Sequence, residues 1–204
     1  MSAYEPLDIA ACYGTDLTSK VIRYGTASVF GPKRLKVGPS HVAVLTRHEG
    51  HMKWAESTTM CKHRCEYSGK HVSGAQLHTP AHRIKDYVDG GGRVEIYRLT
   101  PIDSLSQQEA KLADSLLIDH FIAPGIQYDT GGAILSGTRV LKFSRLFPGA
   151  DLNHLFCSEM VAAVLQRLGR MNRDNPTKYN PACLLRALVR QGTYRYLRTY
   201  EGTE

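Results

Sequence analysis

The chain has 204 residues, 42% hydrophobic and 22% charged, enough for one sizeable core and unlike a disordered or fibrous chain. Lys and Arg number 26 against 19 Asp and Glu, a net charge of +7 that favours polyanions such as cell wall, nucleic acid or acidic membrane. The basic residues are scattered and form no nucleic-acid motif, and no stretch approaches a membrane span.

The opening MSAYEPLDIAACYG lacks the basic start and long apolar run of a secretory signal, so the expectation is synthesis in the cytoplasm. Five cysteines, an odd number, argue for reduced thiols rather than a disulfide scaffold. With no repeat and no linker, residues 1–204 are expected to form a single domain.

Leu7 to Tyr13 reads as a strand, and Asp16 as the N-cap of a helix over Leu17 to Tyr24. A basic loop, GPKRLKVGPS, follows. His41 to His48 and Met52 to Thr58 form a hairpin around Glu49-Gly50 at the centre of the sheet. Ala75 to His78 is extended, Ala81 to Val88 helical, and Arg93 to Thr100 a strand after a triple-glycine turn. Ser104 starts an amphipathic helix with Leu105, Leu112, Leu116, Leu117 and Phe121 on one side. Another helix runs from Cys157 to Leu168, stopped by Gly169. Asn180-Pro181 opens a further helix, through Val189, and TYRYLRTY alternates as a strand. The fold class is α+β.

In FCSEMVAAVL, Cys157 occupies the helix start, where unpaired N–H groups and the macrodipole stabilise negative charge. Helix N-termini and nearby imidazolium can lower a thiol pKa from about 8.5 to roughly 3.5–7.5. A buried structural cysteine is the alternative. Among nine histidines, His41 stands out because it opens an apolar strand directly after Gly38-Pro39-Ser40. If Glu49-Gly50 is a two-residue turn, His41 lies opposite Thr58, and Glu56 falls diagonally on the same face to orient the imidazole. A one-residue slip would send Glu56 to the opposite face.

The combination SHVAVL, WAEST, IQYDTGG and FCSEMV, in that order, resembles the permuted branch of the NlpC-type papain-like superfamily. That branch includes bacterial cell-wall peptidases and relatives of lecithin:retinol acyltransferase. The resemblance implies a circularly permuted papain-like fold, with a central antiparallel sheet packed against helices and the nucleophile at a helix N-terminus. It further implies a triad of Cys157, His41 and Glu56, with Tyr128 of the Tyr128-Asp129 pair and Ser158 as substrate or oxyanion contacts. The resemblance extends to YNPACL.

A competing pattern is Cys61, Cys65, His78 and His82, within zinc-finger spacing. The intervening EYSGKHVSGAQL lacks the apolar pattern of a recognition helix, so no cofactor is expected. The first function hypothesis is cleavage of an amide in a peptidoglycan stem peptide through an acyl-thioenzyme, by a thiol protease of cell-wall degradation. A second keeps the same triad as a lipid or protein acyl hydrolase, acyltransferase or deamidase. A third is a non-catalytic virion or secretion-associated scaffold. Lacking a signal, a wall hydrolase would reach the envelope with a bacteriophage virion or a secretion apparatus.

Overall fold

The computed structural model describes residues 4–59, 61–127 and 157–202. Among the described residues six antiparallel strands form one sheet: β1 (Ile9–Tyr13), β2 (His41–His48), β3 (His51–Thr58), β4 (Gly74–His78), β5 (Arg93–Leu99) and β6 (Tyr194–Glu201). Their order is β4-β3-β2-β1-β5-β6, so β2 and β1 are central and every neighbour is antiparallel. Helices α1 (Leu17–Gly25), α2 (Pro80–Asp89), α3 (Gln107–Leu117), α4 (Cys157–Arg167) and α5 (Pro181–Arg190) accompany the sheet.

Period-two side chains divide the core into two layers. Ile9, Ala11, Val42, Val44, Ala55 and Leu77 meet α3, α4 and α5 on one face. Ala10, Cys12, Ala43, Leu45, Trp54, Val94 and Ile96 meet Ile84 of α2 on the other. The α+β class with a helix-packed antiparallel sheet is thus present, and no described helix is long and apolar enough to cross a membrane.

Local sequence explains most boundaries. Asp16 accepts from Ser19 N at 2.9 Å and caps α1. Asn180 accepts from Cys183 N at 2.8 Å and caps α5. Gly169 ends α4 with φ 67°, and Arg170 N reaches back to Leu165 O at 2.9 Å, which closes the exposed carbonyls of the last turn. The third helix begins later than the pattern indicated. Ser106, not Ser104, is its cap, because Ser106 and Glu109 bond reciprocally as a capping box. Its buried face is Ala113 and Leu117, while Leu112 is exposed.

The hairpin decides where the site residues point. Glu49 and Gly50 both have positive φ, 50° and 77°, which matches the right-handed twist of a two-residue turn. The resulting register pairs His48 with His51 and Val44 with Ala55. Continued to the strand end, that register sets Glu56 opposite Ala43 and diagonal to His41, as the two-residue turn requires.

Candidate active site

His41 opens β2 and pairs with Cys12 of β1, so its backbone is fixed in the middle of the sheet. Its Nε2 lies 2.8 Å from Glu56 Oε2. Glu56 is fully buried, yet its carboxylate is well satisfied: Arg83 Nε donates to Oε1 at 2.6 Å and Arg83 Nη2 to Oε2 at 3.3 Å. The guanidinium fork from α2 therefore holds the carboxylate from one side and the imidazole meets it from the other. Burial alone would raise the Glu56 pKa, but the Arg83 charge and the His41 contact hold it well below the ordinary range.

Cys157 is the first described residue of α4 and is 4% exposed. It comes from the opposite layer to Glu56 and meets His41 where β2 begins. Burial pushes the His41 pKa down, but charge and hydrogen-bond interactions with Cys157, followed by Glu56, reverse this and push it up to about 10. A positively charged ring between a thiol and a carboxylate is the arrangement that promotes thiolate attack.

Arg83 is held in turn. Its Nη1 donates to Asp86 Oδ2 at 2.8 Å, and the same oxygen lies 2.8 Å from His63 Nε2. Sequence reasoning passed over Arg83, Asp86 and His63. The i, i+3 spacing of Arg83 and Asp86 on a helix is the available signal, and it does not say which strand the pair faces.

Other expected site residues are placed differently. The Ser158 hydroxyl donates to Tyr179 O at 2.6 Å and is 1% exposed, so it ties α4 to the segment before α5 and does not face a substrate. Tyr128 and Asp129 lie outside the described residues. Cys183 is exposed, whereas Cys12 is fully buried and its thiol pKa is pushed up by that burial.

The four residues of the zinc pattern do not converge. Cys65 packs in the layer of α3 to α5, where its Sγ accepts from Leu77 N at 3.4 Å, and His82 stacks on His63 with centroids 5.6 Å apart. Strand alternation carries His78 to the other face, because it follows Leu77 directly. Among the described residues, Glu56, Cys61 and His78 do offer ligand atoms within 4.8 Å of one another. Two of these donors are engaged: Glu56 by Arg83 and His41, and His78 Nε2 by Gln76 Oε1 at 2.9 Å. A cation there would also face the Arg83 guanidinium, so this donor set fits a metal poorly.

No family model and no curated protein matches the chain. A similar solved structure is the metalloprotein yiiX from Escherichia coli O157:H7, a DUF1105 protein. It aligns at 14% identity with a TM-score of 0.56, over 97% of this chain and 98% of that one. At that identity the likeness extends to the fold.

Proposed function

We propose that the protein is a cysteine-dependent acyl hydrolase, with Cys157 as nucleophile, His41 as general base and acid, and Glu56 as the residue that orients His41. The observation that carries this reading is the continuous contact from the Cys157 thiol through His41 to a buried carboxylate anchored by Arg83. A structural cysteine needs no such partner sequence.

Cys157 Sγ, its proton already carried by His41, attacks the substrate carbonyl carbon and forms a C–S bond. His41 protonates the leaving amine or alcohol when the scissile bond breaks. His41 then takes a proton from water, which attacks the thioester, and the acid leaves as the thiol is restored. Backbone N–H groups near Cys157 would bind the oxyanion, as helix-start N–H groups do when no helical acceptor precedes them. Arg83 touches no substrate in this scheme. It positions Glu56 and neutralises it.

The substrate expected from the papain-like resemblance is an amide in a peptidoglycan stem peptide, consistent with a +7 chain and an anionic wall. Delivery by a virion or a secretion apparatus would place the protein there. A second reading, a lipid ester or thioester, is favoured by solvent-facing Val29 and Phe30 in the loop leading to His41. The name of the yiiX structure raises a metal as well, but the donors around Glu56 are engaged, and no step is assigned to one.

Purified protein is incubated with sacculi and, separately, with phospholipid and thioester substrates, and intact mass is followed. The expected result is a transient acyl adduct on Cys157 with one substrate class and none in Cys157→Ala. Turnover by Cys157→Ala, or an adduct on another cysteine, overturns the assignment.

A further inference from the structure

The helix α1 is amphipathic, yet none of its residues is buried. Leu17, Val21 and Tyr24 recur at i, i+4 and i+7, and are 79%, 53% and 65% exposed. The apolar stripe therefore faces solvent, where a packing helix would turn it inward. Two further apolar side chains, Val29 at 79% and Phe30 at 86% exposed, project from the following loop. Five exposed large apolar side chains thus fall within residues 17–30, and a concentration of this kind marks an interaction surface more often than single scattered ones do.

This loop is a built element. The side chain of Arg186, itself buried, reaches from α5 and donates to Leu35 O at 2.8 Å, Thr26 O at 2.7 Å and Lys36 O at 3.0 Å. Ser28 N closes the loop on Lys36 O at 2.8 Å, and Arg190 donates to Phe30 O. Val29 and Phe30 are thus presented outward by a backbone held at both ends.

The surroundings are basic. Lys20, Lys33, Arg34 and Lys36 are exposed, and Asp16, which caps Ser19 N, is the one carboxylate in residues 15–40. We propose that α1 and the loop 26–36 dock the protein on an anionic lipid bilayer. Leu17, Val21, Tyr24, Val29 and Phe30 enter the boundary between headgroups and acyl chains, and the lysines meet the lipid phosphates. Protruding apolar side chains ringed by lysines suit insertion between lipids, whereas a protein partner would call for a more continuous complementary face. Gly38-Pro39-Ser40 then connects this surface to His41, with Ser40 N bonded to Cys12 O at 2.9 Å, so docking brings that end of the sheet to the interface. The docking does not depend on the role of Cys157, because binding is measured without turnover.

The full chain is sedimented with phosphatidylcholine vesicles, with and without phosphatidylglycerol. Wild type should pellet with the anionic vesicles and far less with neutral ones. Phe30→Asp should weaken that partitioning about ten-fold or more. The Val29→Asp, Phe30→Asp double variant should stay in the supernatant while melting as wild type does, since both side chains lie in solvent. Wild type that stays in the supernatant with anionic vesicles overturns the proposal, as does equal binding by wild type and the double variant. A wild-type dimer that Phe30→Asp dissociates, with no vesicle binding, assigns the surface to a second copy of this chain instead.

Discussion

Replacing Glu56 by Gln tests the centre of the proposed site, and its main effect is expected on stability as well as rate. Glu56 is fully buried and shared between Arg83, with contacts of 2.6 and 3.3 Å, and His41 at 2.8 Å. An amide can still accept from His41 but leaves the Arg83 guanidinium with a buried, less compensated charge. Breaking a buried pair from one side costs about 3–5 kcal/mol. At about 2–4 °C per kcal/mol for a chain of this size, the melting temperature should fall by about 6–20 °C. Removing both partners in a Glu56→Gln, Arg83→Gln variant leaves no orphaned charge, so the double variant should lose at least about 1 kcal/mol less than the sum of the singles. Urea unfolding of the four proteins measures this cycle. The pH–rate profile of the single variant should show a His41 pKa below that of wild type, because one of the contacts that raises it is weakened. If Glu56→Gln unfolds within about 0.5 kcal/mol of wild type and keeps its pH profile, Glu56 is neither the anchor of Arg83 nor the partner of His41.

His41→Ala should abolish product formation, and alkylation of Cys157 by iodoacetamide should slow in the same variant. An unchanged labelling rate, followed by peptide mass spectrometry, would sever the thiol from the imidazole. In wild type, exposed Cys183 should label while Cys12 and Cys65 stay protected until unfolding, and rapid labelling of Cys12 would contradict its burial. The folded pKa of His41 lies at about 10 against an ordinary 6.5, so its contribution to stability is complete below pH 6.5 and lost as the pH rises through about 10. Thermal melts of wild type and His41→Ala across that range should therefore converge at alkaline pH, and a constant difference would refute the raised pKa. Arg186→Met should cost about 2–5 kcal/mol by orphaning the Thr26 and Leu35 carbonyls and leaving Lys36 O with Ser28 N alone. Limited trypsin digestion should then cut at Lys33 to Lys36 faster than in wild type.

Much of the site could be read from local pattern. The Glu49-Gly50 turn determines the β2–β3 register by chain geometry alone, and once the register is set, strand alternation puts Glu56 on the face of His41. Apolar periodicity and Gly169 likewise mark the helix described over Cys157–Arg167 and its end. Tertiary structure decided what these residues meet. Arg83 lies 27 positions from Glu56, and the packing of α2 on the sheet brings its fork to that carboxylate. Ser158 reads as a site residue in sequence, yet its hydroxyl is committed to Tyr179, on a segment whose approach only packing sets. Cys65 and His78 have metal-like spacing, but strand alternation and the separate layers draw them to opposite faces of the sheet. Short-range order follows from backbone geometry and solvent-facing period, which each segment carries within itself. The partner of a buried charge depends on which distant element packs over it, and no local period encodes that.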